Sequence, residues 1–215
     1  MSEHADVAAT RLAYDTVASD YAALLRDELA SKPLDRAMLS AFAEEVLAAG
    51  GGAVADLGCG PGRVTAQLVE LGLDAFGIDL SPGMIDVARS SHPGLRFEVG
   101  SMAALPLGGD ELAGAVAWYS VIHTPPERQG ELFAEFARVL RPGGLLLLAF
   151  QVGDDVVHLT KAYGHDIALD AYRQSPARIR MLLAEAGLVE TVWLERAPRA
   201  PEKVPQAYVL AALPE

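Results

Sequence analysis

The sequence has little of several features that mark large classes of protein. Cys59 is the single cysteine in 215 residues, which excludes an intrachain disulfide and a metal site built from cysteines. The longest unbroken apolar run, residues 145–150, is far too short to cross a bilayer. Residues 1–6 lack the basic and apolar regions of a signal peptide. From these absences we expect a cytoplasmic protein without a membrane partner.

Positive charge is also scarce. The chain has 17 Lys and Arg against 29 Asp and Glu, which gives a formal net charge of −12. An acidic surface repels phosphate backbones, so we expect no nucleic acid partner. The simplest explanation of the charge itself is that it keeps the protein in solution.

Short apolar segments alternate with helical ones between residues 53 and 150. Strands that are apolar throughout, with amphipathic helices between them, are typical of a parallel sheet covered on both faces. The pattern predicts strands at 54–57, 75–78, 95–99, 114–121 and 145–150 and helices at 63–71, 82–90 and 125–140. We therefore expect a doubly wound α/β fold.

Three Ser/Thr-Pro pairs have the pattern of a helix N-cap followed by proline at the first helical position. They are Ser81-Pro82, Thr124-Pro125 and Ser175-Pro176. Glu127, three residues after Thr124, adds a capping-box pattern at the second pair. We expect a helix to begin at each pair.

The segments that flank this core have other patterns. Residues 8–29 and 34–49 predict an N-terminal helical cap. Alternating segments on both sides of Tyr163-Gly164-His165-Asp166 predict a β-hairpin. The remaining elements are a helix at 176–186 and strands at 191–195 and 207–213. Because a Pro-rich loop without a crossover helix joins those two strands, we expect them to pair antiparallel.

Three glycines at alternate positions follow the first predicted strand, in Asp56-Leu57-Gly58-Cys59-Gly60-Pro61-Gly62. Glycine at that density indicates a backbone that turns sharply or lets a ligand approach closely. The spacing differs from the G-x-G-x-x-G of dinucleotide-binding folds, because Arg63 stands where the third glycine would be. A P-loop would need Gly-Lys-Ser/Thr, which is absent. A tight turn without a ligand remains the alternative.

The Asp-x-Gly-x-Gly-x-Gly pattern resembles the first motif of the class I S-adenosylmethionine-dependent methyltransferases. Two more segments are similar to that family: Gly77-Ile78-Asp79-Leu80-Ser81 after the second strand, and RVLRPGG at 138–144 before the fifth. The resemblance covers about residues 14–213. It implies a Rossmann-like, seven-stranded, mostly parallel sheet with an antiparallel last strand, and S-adenosylmethionine as the cofactor.

The resemblance also implies roles for residues near the glycine loop. The loop would lie against the methionine part of the cofactor, with Asp56 near its ammonium group, and Asp79 would accept hydrogen bonds from both ribose hydroxyls. Ser101 stands where the family usually has the Asp that binds the adenine amine, so apolar contacts would hold adenine. The expected cofactor contacts are Tyr14, Tyr21, Asp56, Gly58, Cys59, Gly60, Asp79, Leu80, Met84, Ser101, Met102, Ala103 and Tyr119.

Tyr14 and Tyr21 belong to that set because a similar N-terminal segment folds over the cofactor in small-molecule members of the family. The two residues are seven apart, so one face of a helix presents both. Packing of both rings in the core is an equally good explanation of these tyrosines.

His123 is the candidate catalytic residue. It follows the fourth predicted strand, near where the family's methyl group points, and the usual pKa of imidazole suits a general base near neutral pH. The alternative is that His123 orients a loop by hydrogen bonding. The Asn/Asp-Pro-Pro-Tyr motif of enzymes that methylate amines of nucleobases or amides is missing here, which disfavours those substrates.

The chain contains no clear linker, so we interpret 1–215 as a single domain. Within it, 1–49 is the helical cap, 53–150 the cofactor-binding core, and 151–173 an inserted hairpin that could cap the substrate. Four hairpin residues could line a pocket, or instead form surface or a dimer contact: His158, Tyr163, His165 and Tyr172. Because the hairpin histidines have no helical metal-ligand spacing, we expect no metal site.

Together these features predict methyl transfer from S-adenosylmethionine to a small molecule. Oxygen or nitrogen acceptors of a metabolite or natural product are favoured over carbon acceptors. One alternative is a non-catalytic protein that binds the cofactor for regulation. The other is a nicotinamide-dependent oxidoreductase, which the glycine spacing disfavours. The sequence is compatible with a monomer or a homodimer.

Overall fold

A seven-stranded sheet organises the computed structural model, which describes residues 4–215. The strands of the molecule are β1 (Ala53–Leu57), β2 (Asp74–Asp79), β3 (Phe97–Val99), β4 (Leu112–Trp118), β5 (Leu140–Gln151), β6 (Val156–Ala162), β7 (His165–Tyr172), β8 (Val189–Arg196) and β9 (Gln206–Ala212). The sheet has the order β3-β2-β1-β4-β5-β9-β8. β1 to β5 are parallel, and β9 runs antiparallel to both of its neighbours. The predicted fold class is confirmed.

Helices cover both faces of this sheet. They are α1 (Ala5–Leu25), α2 (Pro33–Ala48), α3 (Arg63–Glu70), α4 (Pro82–Ser91), α5 (Gln129–Val139) and α6 (Pro176–Glu185). α2 and α3 pack on one face, and α5 and α6 on the other. None of the helices within residues 4–215 has the length and apolar character needed to span a bilayer.

The central strands are mainly apolar because successive side chains point into different cores. Val54 and Val116 pack with α2 and α3, whereas Ala55 and Ala115 pack with α5 and α6. All seven residues of β4 are buried for this reason. A polar side chain in the middle of β4 would therefore lose water on either face.

The order of the strands places a crevice beside β1. The chain leaves β1 toward β2 on one side, whereas β4 pairs with β1 on the other side. Connections diverge at such a point, and the carboxyl ends of the strands leave an opening there. The glycine loop after β1 lies at this opening.

A two-stranded hairpin stands apart from the main sheet. β6 pairs antiparallel with β7, and Tyr163 and Gly164 form the turn with φ values of +51° and +86°. Positive φ at both positions is typical of a two-residue hairpin turn. Tyr163 and Ile167 pack with residues of α1 and α4, so the hairpin contacts the N-terminal helix.

The start of α5 differs from the prediction. The helix begins at Gln129 rather than Pro125, after 3₁₀ turns at Val121–His123 and Pro126–Arg128, and β4 ends at Trp118. Pro125 is extended (ψ 144°) because the proline that follows disfavours a helical conformation for it. The predicted capping box at Thr124 is wrong, since no side chain caps this helix.

The other two predicted caps have different outcomes. The hydroxyl of Ser81 accepts a hydrogen bond from the main-chain N–H of Met84 at 3.0 Å, as predicted for an N-cap. Ser175 occupies the N-cap position of α6, but its side chain makes no capping hydrogen bond. The RPGG segment at 141–144, which precedes the predicted strand at 145–150, lies inside β5, with a bulge between the pairs Leu112–Leu140 and Gly114–Leu145.

Candidate functional site

A cavity lies at the carboxyl ends of β1, β2 and β4, beneath α1. It encloses about 900 Å³ not filled by atoms, part of it open to solvent. This volume is within the range of small-molecule and cofactor sites. Twelve of the predicted site residues line it: Tyr14, Tyr21, Gly58, Gly60, Asp79, Leu80, Met84, Ser101, Met102, Ala103, Tyr119 and His123.

The three glycines of the loop differ in how closely their surroundings are packed. Gly58, Gly60 and Gly62 have φ values of +74°, +53° and +82°, which favour glycine. A Cβ atom at Gly58 would lie 2.4 Å from Cβ of Ser120, and one at Gly62 would lie 2.6 Å from the Phe97 ring. A Cβ atom at Gly60 would meet only the ring of Tyr21, at 4.0 Å. The loop is therefore packed at its ends and open at Gly60.

The main-chain N–H groups of this loop are already engaged. Those of Gly58 and Cys59 donate to the carbonyl of Ile78, at 2.8 and 3.1 Å, and that of Gly62 donates to the carbonyl of Cys59 at 3.1 Å. The N–H of Gly60 donates to the carboxylate of Asp79 at 2.7 Å. Anion-binding loops work by pointing free N–H groups at the anion. This loop therefore exposes main-chain atoms to the cavity, but its N–H groups do not form a cluster of free hydrogen-bond donors.

Asp79 stands at the end of β2, beside Gly60. Besides the bond from Gly60, its second carboxylate oxygen accepts a hydrogen bond from the N–H of Ser81 at 2.8 Å. Burial raises the pKa of the Asp79 carboxyl, and these two hydrogen bonds oppose that rise. Each carboxylate oxygen keeps acceptor capacity, which the cavity can use for the hydroxyls of a ligand.

Asp56 and Cys59 lie behind the loop rather than in the cavity lining. Burial raises the pKa of Asp56 to about 7. The hydroxyl of Thr65 donates a hydrogen bond to its carboxylate at 2.6 Å, and this bond acts in the opposite direction by lowering the pKa. Its other carboxyl oxygen has no hydrogen-bond partner among the residues that the structure describes. Cys59 packs with Phe97, and burial raises the pKa of its thiol. Contact of these two residues with a cofactor stays a prediction.

The wall formed by Leu80, Met84, Ser101, Met102 and Ala103 is mainly apolar. Met84 is 1% exposed and packs under α1. The Ser101 hydroxyl accepts a hydrogen bond from the N–H of Ala103 at 3.2 Å, which leaves its proton to donate. A flat apolar group with polar edges fits such a wall.

Ser120, at the end of β4, lines the cavity, and its hydroxyl oxygen is buried without a hydrogen-bond partner within residues 4–215. Tyr119 lines the cavity too, but it packs with the core that contains Tyr208, and its hydroxyl interacts with Tyr208. Tyr119 also has a φ value of +54°, a conformation that costs energy for an aromatic residue. Unpaired buried hydroxyls and backbone strain are typical of a site that a ligand completes.

His123 connects α1 to the hairpin. The Tyr14 hydroxyl lies 2.7 Å from Nε2 of His123, and Nδ1 of His123 lies 2.8 Å from the carbonyl oxygen of Asp170 in β7. A carbonyl only accepts, so Nδ1 carries the proton and Nε2 accepts from Tyr14. Burial lowers the pKa of His123 and raises the pKa of Tyr14 well above its usual range, so both are neutral near pH 7.

A second cavity lies between α1 and the hairpin, with about 630 Å³ not filled by atoms, part of it open to solvent. His123 contributes to the walls of both cavities. Of the four hairpin candidates, His158 and Tyr172 line the second cavity. Tyr163 packs on Tyr21, with ring centroids 5.1 Å apart. The remaining candidate, His165, pairs with Asp20 of α1 at 2.7 Å.

Comparison with solved structures shows the same fold. Magnesium protoporphyrin IX methyltransferase from Synechocystis, solved with bound S-adenosylmethionine, superimposes with a TM-score of 0.71. The alignment covers 99% of each chain at 17% sequence identity.

Sequence comparison finds methyltransferases that are similar to part of this chain. Residues 54–144 match the family model described as a methyltransferase domain. An uncharacterized methyltransferase of Mycobacterium tuberculosis is 37% identical over 135 residues, which cover 61% of this chain and 52% of that protein. Demethylmenaquinone methyltransferase of Beutenbergia cavernae is 30% identical over 136 residues, with coverages of 63% and 55%. Residues 54–144 of this chain are therefore similar in sequence to a methyltransferase domain, and the whole chain shares its fold with an S-adenosylmethionine-dependent methyltransferase. The chain spans about half the length of the curated relatives it matches.

Sequence reasoning missed part of this site. Further residues of the first cavity come from the start of α1 and from the turns before α5: Asp6, Val7, Thr10, Arg11, Thr124 and Arg128. Arg128 holds both carboxylate oxygens of Asp6 at 2.7 Å. These two residues are far apart in sequence, so no local pattern indicated the pair. The Ser-Glu-His-Ala-Asp start lies partly outside the described residues.

Proposed function

We propose that this protein binds S-adenosylmethionine in the first cavity and transfers its methyl group to a small-molecule acceptor. The observation that carries this proposal is the glycine loop, which is open at Gly60, has its N–H groups engaged and lies beside the carboxylate of Asp79. When bound, the cofactor supplies an electrophilic methyl carbon on a positively charged sulfur.

The chemistry of the loop favours this cofactor over a nicotinamide dinucleotide. A pyrophosphate needs free N–H donors, and those of Gly58, Cys59, Gly60 and Gly62 are already used. The amino acid end of S-adenosylmethionine carries an ammonium group and no phosphate. It therefore fits a surface with carbonyl oxygens and the unpaired hydroxyl of Ser120.

Other residues would hold the nucleoside. Asp79 would accept hydrogen bonds from the ribose hydroxyls, because its oxygens keep acceptor capacity. Leu80, Met84 and Met102 would contact the adenine ring, and Ser101 would bond to its edge. In this assignment Asp56 supports the loop from behind. Tyr14 and Tyr21 would close the cavity from α1.

The acceptor would occupy the second cavity, with residues 151–173 as a substrate cap. His123 lies in the walls of both cavities, so an acceptor there can reach the cofactor beside this side chain. Similar proteins include methyltransferases of demethylmenaquinone and of magnesium protoporphyrin IX, which supports a small acceptor. We further propose a cytoplasmic monomer or homodimer that binds no nucleic acid, on the basis of its charge and its single cysteine.

Replacement of Asp79 by Asn tests the cofactor site. Isothermal titration calorimetry with S-adenosylmethionine should show a Kd about 10- to 100-fold weaker than that of the wild type, because charge-assisted hydrogen bonds to ribose are lost. Asp74→Asn, at the exposed opposite end of β2, is the matched control and should bind as the wild type does.

Two results would change these assignments. Unchanged affinity of Asp79→Asn would contradict the role of that residue, and a wild type that does not bind would contradict the proposed function. Turnover is measured separately, as S-adenosylhomocysteine formed across a panel of alcohols, phenols, amines and acids. Stoichiometric binding without any product would favour the regulatory alternative.

A further inference from the structure

Three groups from distant parts of the chain are aligned beside the cofactor cavity. The Tyr14 hydroxyl of α1 donates to Nε2 of His123, and Nδ1 of His123 donates to the carbonyl of Asp170 in the hairpin. The two hydrogen bonds use both nitrogens of the ring, which fixes its tautomer and its orientation. The oxygen of Tyr14 can still accept a hydrogen bond, because a hydroxyl donates once and accepts twice.

We propose that Tyr14 and His123 form a proton relay that deprotonates the methyl acceptor, and that the acceptor therefore reacts through a hydroxyl or an N–H group. This inference rests on the proposed function, because the relay needs a methyl transfer to serve. It places the reacting atom of the acceptor in the first cavity, in contact with Tyr14, and the rest of the acceptor in the second cavity, which Tyr14 does not line. The carbonyl of Asp170 holds His123 in position.

The proton movements balance. The acceptor atom gives its proton to Oη of Tyr14 while Tyr14 passes its own hydroxyl proton to Nε2 of His123. The acceptor then bonds to the methyl carbon as the carbon–sulfur bond breaks, and the electron pair of that bond stays on sulfur. One positive charge leaves the sulfonium and one appears on the imidazole ring, which the Asp170 carbonyl stabilises. Solvent takes the proton from His123 after the product leaves.

The electrostatic surroundings fit this role. Burial lowers the pKa of His123, so its Nε2 lone pair is available at neutral pH. Burial also raises the pKa of Tyr14, which keeps the phenol neutral between transfers. Titratable and charged groups on the elements around the two cavities are Asp6, Arg11, Tyr21, Asp79, Tyr119, Arg128, His158, Asp170 and Tyr172. Arg128 forms an ion pair with Asp6, and Nδ1 of His158 lies 2.6 Å from the Asp170 carboxylate.

Nuclear magnetic resonance of ¹⁵N-histidine-labelled protein tests the arrangement without any acceptor. The His123 signals are assigned by their loss in His123→Asn. At pH 7 we expect a neutral ring with the proton on Nδ1, a pKa below 6.5, and an Nε2 resonance that moves in Tyr14→Phe. The matched control is Tyr163→Phe, whose hydroxyl lies outside the lining of the first cavity and should leave His123 unchanged. A ring protonated at pH 7, or with its proton on Nε2, would overturn the relay.

Kinetics then test the acceptor class. A panel pairs a phenol, an alcohol and a secondary amine with a thioether and a tertiary amine, which have no proton to lose. We expect S-adenosylhomocysteine from the first group, with kcat reduced about 100- to 10,000-fold in His123→Asn and the acid limb of the pH profile lost. Tyr14→Phe should lower kcat without changing KM for the acceptor. Turnover only with the proton-free acceptors, or variants as active as wild type, would overturn the inference.

The two proposals fail in different ways. If calorimetry shows that the wild type does not bind S-adenosylmethionine, the proposed function fails, whatever the state of His123. If the wild type binds the cofactor and methylates an acceptor while both variants keep full activity, only the relay fails. His92→Asn, at the end of α4, is the control for loss of a histidine and should retain wild-type activity.

Discussion

Asp56 is a carboxyl group that the fold buries almost completely. It is 1% exposed, and one of its oxygens lacks a hydrogen-bond partner within residues 4–215. Burial raises its pKa to about 7, whereas an Asp in an unfolded chain ionises near pH 4. Between these two pH values the folded protein holds a proton that the unfolded chain has released. The stabilising effect of this proton is therefore present at low pH and lost as the pH rises toward 7.

We predict that Asp56→Asn removes this pH dependence. Between pH 5 and pH 7, the unfolding free energy of the wild type relative to the variant should fall by about 1 kcal/mol per pH unit. Urea denaturation at several pH values measures the difference. Asp86→Asn, on the exposed side of α4, is the control. If the unfolding free energies of the wild type and Asp56→Asn differ by the same amount at every pH, Asp56 is ionised in the folded protein.

At the scale of single elements, α1 is held over the cofactor cavity by polar contacts along its length. Asp15 accepts hydrogen bonds from the Ser81 hydroxyl at 2.5 Å and from the N–H of Gly83 at 2.9 Å, at the start of α4. A carboxylate there also interacts favourably with the α4 dipole. The Asp6–Arg128 pair holds the start of α1, and the Asp20–His165 pair joins it to the hairpin.

We predict that Asp15→Ala loosens α1 and weakens cofactor binding. The change removes a charged partner from the first turn of α4, which should lower the unfolding free energy by about 1 kcal/mol. Hydrogen exchange should become faster along α1, and the Kd for S-adenosylmethionine should rise several-fold. Asp27→Ala, in the exposed turn after α1, provides the comparison. If the hydrogen-exchange rates along α1 do not change in Asp15→Ala, the apolar contacts of α1 are sufficient to keep this helix in place.

At the scale of the whole molecule, ligand binding to the folded state should stabilise the entire domain. A ligand at 100 times its Kd contributes about 2.7 kcal/mol to the unfolding free energy. For a chain of this length we expect S-adenosylmethionine to raise Tm by about 5–10 °C. The same concentration of a nicotinamide dinucleotide should leave Tm unchanged within about 1 °C. A thermal-shift measurement compares the two, and a shift with the dinucleotide alone would support the oxidoreductase alternative.

Much of the fold could be predicted because its causes are local. Apolar runs such as the one in β4 can be buried on both faces only in a covered sheet, and the glycines of the loop have positive φ values that other residues avoid. Ser81 caps α4 with its own neighbours. The predicted start of α5 was wrong because Pro126 disfavours a helical conformation of Pro125, so the capping pattern at Thr124 does not begin a helix.

The sequence by itself therefore determined the central strands, the glycine-loop motif and the place of Asp79 at the end of β2, since each depends on residues that are close together along the chain. Only the tertiary structure decided which side chains meet across the cavity. Tyr14 and His123 are 109 positions apart, and Asp170 lies 47 positions beyond His123. Their hydrogen bonds exist because the hairpin packs against both α1 and the turn that carries His123, and that packing leaves no periodic signal in any one segment.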